Sequence, residues 1–432
     1  MIIEKKERVG YRHSVYIHEA QCTGCLACVL ACPAKAMRVR NDKARILSEL
    51  CVDCGECLRV CPNNAVVPLA MSYKDTIKFK VSAALPTPVL YTQFGDDTYP
   101  NEILLALSKL GFDYVFDVAL YCEWVNLVKS DWLAKHPHVR TAISANCPAL
   151  VRLIAKRFPD LIPNILLMEP PREVAAKHVR QMLMKKLGLP SEEIGIFYIS
   201  PCVAKIEAIT RPLYIKHSSF NGAFSIQEVY GDILQALRRL NEEDQETLLF
   251  KAGGFGIGWE LSGGEAGGLG QEYSSLSVSG LSETLEVLDQ VEAGRLEDIR
   301  YLECRICQDG CLGGPLTVED RYRARATSRK LVQMFGTSPR VRAKEIRPLI
   351  EQGFFEPSKE VRPILYPLDK DPLKAITKRK KVDKLMEGLP NKRCGACGAP
   401  DCRTLAEDVV LGKASLFDCP FYRAGEHPKE EV

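Results

Sequence analysis

Eighteen cysteines in 432 residues carry most of the chemistry this sequence can do, and they fall in tight groups. Cys22, Cys25, Cys28 and Cys32 read C-x2-C-x2-C-x3-C-P, and Cys51, Cys54, Cys57 and Cys61 repeat that run. Further along stand Cys147 (SANCP), Cys202 (SPCVAK), and Cys304, Cys307 and Cys311 (ECRICQDGCLGGP). Cys394, Cys397, Cys402 and Cys419 close the series as C-x2-C-x4-C-x16-C. Close spacing of this kind is that of metal ligands, since a disulfide framework is not expected in a reducing cytoplasm, where we place the chain. A zinc site would not need eight thiols in one repeated register, so the first two runs are expected to hold iron–sulfur clusters.

Those two runs resemble the two-cluster bacterial ferredoxins over residues 14–70. In that pattern the fourth cysteine of each run ligates the other cluster. One [4Fe-4S] cluster would take Cys22, Cys25, Cys28 and Cys61, and the other Cys51, Cys54, Cys57 and Cys32. Gly24, Ala27 and Gly55 are small enough to let backbone approach the sulfides, and Pro33 and Pro62 turn the chain after each run.

The rest of the composition narrows the field. A net charge of +3 is too small to argue for nucleic acid or a membrane surface. No stretch is long and apolar enough to span a bilayer, and MIIEKKERVGYRH lacks the apolar segment of a signal peptide.

The elements that must position the middle cysteines belong to an α/β pattern from about Val81 to Ala343. Tyr114–Asp117, Val139–Ile143, Ile194–Ile199 and Ile299–Glu303 read as short buried strands. Pro148 suits the first position of a helix over Ala149–Phe158. Ser225 and Glu228 have capping-box spacing before Ile226–Leu240, and Gly294 stops a helix over Glu283–Ala293. Mainly parallel strands are expected, without a Rossmann or phosphate-loop fingerprint. The run GGFGIGWELSGGEAGGLG (253–270) reads as backbone packed closely against a site. Because Cys147, Cys202, Cys307 and Cys311 follow strands, three loops at carboxyl ends could gather them around one cofactor. Any one alone reads more readily as a buried core thiol.

These three motifs, in this order and behind a two-cluster module, resemble the catalytic domain of the [FeFe]-hydrogenases over roughly residues 14–320. The resemblance implies a two-lobed parallel-sheet domain in which Cys147, Cys202, Cys307 and Cys311 bind a [4Fe-4S] cluster. Cys311 would bridge to a two-iron unit carrying CO, cyanide and an azadithiolate, together an H-cluster. It also implies that Lys205 holds a cyanide and that Leu85, Pro86 and Thr87 line the two-iron pocket. H2 would be split heterolytically, with protons and electrons as the other participants and hydrogenase maturation factors as assembly partners.

Departures from the family decide the subtype. Asn146 occupies the place of a proton-relaying cysteine, and an amide cannot titrate near neutral pH. Val128 and Lys129 stand where the family carries relay glutamates, Glu207 falls one residue early, and Ser200 and Arg305 replace methionines near the two-iron unit. Losing a positioned acid or base costs roughly 10²–10⁴-fold in rate. The combination is similar to the sensory branch of the hydrogenases, with slow turnover and a redox state read by a signalling partner such as a kinase or phosphatase. Cys122 offers a substitute proton path or is a core thiol; for Cys304 burial is the only reading.

The last four cysteines resemble a small iron–sulfur domain, with a zinc knuckle as the alternative. The domain order is then 1–80 ferredoxin-like (α+β), 81–343 hydrogenase-like, 344–385 connector with the solvated KRKK run (Lys378–Lys381), and 386–432 a small helical iron–sulfur domain. The cofactors expected are three [4Fe-4S] clusters, two N-terminal and one C-terminal, plus the H-cluster. The C-terminal cluster would extend the electron chain from the opposite end of the sequence to a ferredoxin-like or signalling partner. Since the sequence ends 13 residues after Cys419 (432 − 419), the signal is expected to leave through a separate partner, unless a longer chain follows. A homodimer is the default oligomer. The rivals are an ordinary catalytic hydrogenase with its proton path through Cys122, and an iron–sulfur assembly scaffold without the two-iron unit.

Overall fold

The computed structural model describes residues 13–270 and 273–422. The N-terminal charge pattern discussed above lies almost wholly outside them. The described residues form two compact units, one of residues 70–363 and one of residues 13–69 together with 364–422.

In the second of these, β1 (Val15–Ile17) pairs antiparallel with β4 (Val66–Pro68), and β2 (Met37–Arg40) with β3 (Lys43–Ile46). Helices Ala27–Ala31 and Glu56–Arg59 each carry the third cysteine of a run. They start from left-handed backbone at Leu26 (φ 68°) and Gly55 (φ 80°), which turns the chain sharply between the second and third thiols. The C-terminal part of the unit is helical, Pro372–Glu387 against Cys402–Val410, around Val382, Leu405 and Ala406. Asp371 and Asp401 cap these helices through the amides of Leu373 and Thr404, each at 2.8 Å.

The segment read as a connector therefore departs from expectation: it holds the helix Ala343–Glu351 and most of Pro372–Glu387. Val382, Leu385 and Met386 turn one face of the second helix inward, while Arg379, Lys380 and Lys381 stay exposed. The C-terminal helices share a unit with the first cluster module.

The larger unit contains two four-stranded parallel sheets. One has β5 (Val81–Pro86), β6 (Tyr114–Val115), β9 (Ile194–Ser200) and β10 (Gly222–Ser225) in the order β10-β9-β5-β6. The other has β7 (Ala142–Ser144), β8 (Ile165–Leu166), β11 (Ser275–Ser279) and β12 (Tyr301–Arg305) in the order β11-β12-β7-β8. All four expected strands are present, with bounds shifted by up to three residues. The helix after Pro148 runs Pro148–Arg157, and the one after Gly280 runs Leu281–Glu292.

Ser225 caps Ile226–Leu237 by accepting from Glu228 N at 3.1 Å, but the capping box is only half formed. The Glu228 carboxylate accepts instead from Tyr73 N at 3.1 Å, because it faces the segment entering β5.

Candidate functional site

Two cavities lie in the first cluster module. Cys22, Cys25, Cys28 and Cys61 line one, and Cys32, Cys51, Cys54 and Cys57 the other, so the runs are crossed in space. Backbone amides point at the sulfurs: Ala44 N lies 3.3 Å from Cys22 Sγ, Ala36 N 3.2 Å from Cys32 Sγ and Ala65 N 3.2 Å from Cys61 Sγ. Burial pushes the Cys28 thiol up to about 12, and Cys22, Cys25 and Cys61 add to it; Cys51 and Cys54 are likewise raised by burial and neighbouring cysteines. Thiols packed so closely cannot all ionise without compensating positive charge, which iron supplies. Among the described residues no three His, Cys, Asp or Glu side chains converge on a single-ion site. Zinc would need four ligands about 2.3 Å from one point, whereas a cubane spreads its thiols over four irons.

In the larger unit Cys147 follows β7, Cys202 follows β9, and Cys307 and Cys311 follow β12, all at carboxyl ends of parallel strands. The Cys202 thiol is pushed up chiefly by burial, with Cys147 among its charged neighbours, and Cys311 in turn has Cys202 among its own. Cys311 is seated by its amide, which donates to Glu260 O at 2.9 Å, beside a bridge between Leu261 and Gly310. A Cβ on Gly310 would lie 2.5 Å from Glu260 O, so this approach requires glycine there.

Around Cys311 the charges are paired. Lys205 Nζ is 3.5 Å from Cys311 Sγ and forms an ion pair with Glu260, whose other oxygen accepts from the Thr87 hydroxyl. Burial pushes Lys205 down, but the Cys311 and Glu260 charges outweigh it and hold the ammonium well above its ordinary range. Burial raises the Cys311 thiol to about 12, so its pull on Lys205 belongs to a thiolate, the form of a metal-bound sulfur. With a neutral thiol, Glu260 is the lysine's counter-charge.

A second buried network sits behind this one. Arg305 donates to Glu265 at 2.7 Å and to Glu303 at 3.1 Å, with Nη1 4.0 Å from Cys311 Sγ. Glu265 also accepts from Lys129, Tyr301 and Ser144. Burial pushes its carboxyl up, yet Lys129 and Arg305 prevail and hold it at about 2.

Leu85 and Thr87 are wholly buried at and just after the end of β5. Cys122 is buried with Glu260, Lys205 and Asp117 among its charged neighbours, and burial first, then Glu260, keeps its thiol protonated. Asn146 is buried beside Cys147, and among the described residues its Nδ2 meets no acceptor. Ser200 is wholly buried against Cys202, its hydroxyl donating to Cys202 O at 2.8 Å and accepting from Cys202 N at 3.3 Å. Glu207 pairs with Arg211, and Cys304 lies buried in β12 near Cys147. In the C-terminal module Cys402 and Cys419 are buried, and Lys392 N lies 3.2 Å from Cys402 Sγ.

Sequence reasoning missed Glu260 and Glu265. Their signal was two acids in an otherwise small and apolar run, where a charge needs a buried partner. Cys147, Cys202 and Cys311 thus lie near one another, thiols of the kind that hold an iron–sulfur cluster, and the Lys205 and Arg305 cations suit an anionic group beside Cys311.

Residues 80–266 match the C-terminal domain of the iron only hydrogenase large subunit, and this match stops short of Cys304–Cys311. Residues 14–62 match a 4Fe-4S dicluster domain and 389–421 an Fe–S cluster family. The NADP-reducing hydrogenase subunit HndD of Solidesulfovibrio fructosivorans is 24% identical over 329 residues, covering 61% of this chain and 55% of that one. The chain thus spans about half the length of that relative. The cytosolic Fe-S cluster assembly factor NAR1 homolog of Schizosaccharomyces japonicus is 26% identical over 110 residues, 26% of this chain and 21% of that one. Among solved structures, apo [FeFe]-hydrogenase HydA1 from Chlamydomonas reinhardtii superposes with a TM-score of 0.52 at 15% identity. That likeness covers 68% of this chain and 97% of the other, and it speaks to the fold. No described helix is long and apolar enough to cross a membrane. The chain carries an iron-only hydrogenase large-subunit domain between two iron–sulfur domains, and is an iron–sulfur protein related to the [FeFe]-hydrogenases.

Proposed function

We propose that this protein is a slow [FeFe]-hydrogenase of the sensory kind. In this reading Cys147, Cys202, Cys307 and Cys311 would hold the cubane of an H-cluster, and Cys311 would also serve its two-iron unit. When bound, that unit supplies reversible heterolytic cleavage of H2. Lys205 provides a buried positive charge beside Cys311 for an anionic cyanide, and Thr87 and Glu260 fix the lysine. Arg305 adds a second cation, itself anchored by Glu265 and Glu303.

Slowness is carried by one observation. Asn146 stands beside Cys147 with an amide that meets no acceptor among the described residues and does not titrate near neutral pH. The Cys122 thiol, buried with Glu260 and Lys205 among its charged neighbours, keeps its proton. Turnover limited in this way leaves the cofactor's redox state as the output. Electrons would reach three further [4Fe-4S] clusters and a signalling or ferredoxin-like partner.

The test is infrared spectroscopy of protein matured with the two-iron cofactor, with and without H2, alongside gas turnover. CO and cyanide bands that shift with H2 while turnover is slow are expected, and Asn146→Cys should raise turnover by up to roughly 10²–10⁴-fold. An unchanged rate would show that proton transfer at this position is not limiting.

A second reading, an assembly scaffold without the two-iron unit, draws on Glu260 already neutralising Lys205 and on the likeness to the assembly factor. Bound iron and sulfide without CO and cyanide bands would favour it.

A further inference from the structure

The C-terminal cysteine module folds directly against the first cluster module. Strand alternation in β2 divides its side chains: Met37 and Val39 line the two cluster cavities, while Arg38 and Arg40 face the other way. Both arginines meet Asp408, on the helix that begins at Cys402. Arg38 reaches it through Nε at 2.5 Å and Nη2 at 3.2 Å, and Arg40 through Nη2 at 3.2 Å. Arg38 and Asp408 are buried, at 6% and 3% exposure. Lys35 pairs with Asp401 at 2.7 Å.

The backbone contact is closer still. Val39 N donates to Gly398 O at 2.8 Å, and Arg40 Nη1 donates to Cys397 O at 2.9 Å. A Cβ on Gly398 (φ +77°) would lie 2.0 Å from Val39 O, so glycine alone permits this approach. Opposite Val39 in the hairpin stands Ala44, whose amide points out of the other edge, at Cys22 Sγ. One edge of a two-stranded hairpin thus holds the loop of Cys394 and Cys397, and the other edge holds a ligand of the first cluster cavity. The gap from Gly398 O to Cys22 Sγ is one cross-strand spacing plus two hydrogen bonds, on the order of 10 Å.

We infer that the β2–β3 hairpin is a built electron-transfer contact joining the C-terminal four-cysteine site to the cluster site of Cys22, Cys25, Cys28 and Cys61. Electrons exchanged with the C-terminal site pass through that cluster site. The transfer is of one electron, oxidising one site and reducing the other, with no bond made or broken; an external one-electron reductant, dithionite in the test, supplies the charge. The Arg40 donation to Cys397 O and the Lys392 amide at Cys402 Sγ favour the reduced form of the C-terminal site. This inference rests on the reading of Cys394, Cys397, Cys402 and Cys419 as iron–sulfur ligands.

The test uses the full cluster-loaded chain, reduced with dithionite and followed by electron paramagnetic resonance, with iron and sulfide counted in parallel. Cys402→Ser should lower the iron count and abolish interaction features that the native spectrum shows beyond the two ferredoxin clusters. Gly398→Ala and Asp408→Asn should keep the native iron content and lose those features, as the loop is pushed off Val39 or released from the arginines. An iron count untouched by Cys402→Ser would overturn the ligand reading, and the contact with it. Iron loss with a native spectrum equal to the sum of independent clusters would overturn the contact alone. So would interaction features undiminished in both Gly398→Ala and Asp408→Asn.

Discussion

Replacing Glu260 with glutamine should destabilise the chain far more when the two-iron cofactor is missing than when it is bound. Lys205 and Glu260 expose only 2% and 6% of their side chains and form an ion pair. Removing one member of such a pair leaves the other charge buried without compensation, a loss of about 3–5 kcal/mol. Glu260→Gln keeps the shape and the Thr87 contact, so the lost carboxylate charge dominates. In a unit of this size that loss corresponds to a fall in melting temperature of roughly 6–15 °C. An anionic group bound beside Lys205 would restore the missing counter-charge and shrink the difference.

The assay is thermal unfolding of native and Glu260→Gln protein, each iron-free before maturation and carrying its clusters and the two-iron cofactor after it. A large fall before maturation and a small one after is expected. Equal falls in both forms would refute the idea that Lys205 faces an anionic ligand, and no fall in either would refute the buried pair itself.

Three further outcomes follow from the same structure. Cys122→Ala should leave H2 turnover within about twofold, because a thiol held protonated by burial relays poorly; a loss near the roughly 10²–10⁴-fold of a positioned acid would favour the ordinary catalytic reading. Burial lowers the His178 imidazole against Tyr121, so the unfolded chain binds the extra proton first as pH falls. The stability this contributes is present above about pH 6.5 and is lost below it, and melting curves between pH 7.5 and 5.5 should flatten in His178→Gln. Gly256→Ala should lower the melting temperature by several degrees, since the new Cβ would lie 2.2 Å from Ala119 O, a case of overpacking at about 1–3 kcal/mol.

Much of this protein was legible in its sequence because cysteine spacing is local. Runs such as Cys22–Cys32 wrap a cubane with a few residues of chain, and Pro148 and Gly294 mark helix boundaries through their own backbone limits. The parallel strands ending at Cys147, Cys202 and Cys307 were equally visible as short buried runs between helices.

What only the tertiary structure decided is who neutralises whom. Nothing in the spacing of Lys205, Glu260 and Thr87, or of Lys129, Glu265 and Arg305, announces that they meet, since buried charges are paired by loops distant in sequence. The fate of Ser200 and Glu228 was likewise settled by neighbours, Cys202 O and Tyr73 N, that compete for the same polar atoms. The place of the C-terminal module was hidden for the same reason. Arg38 and Asp408 are separated by 370 positions, and only folding brings that charge pair out of water together.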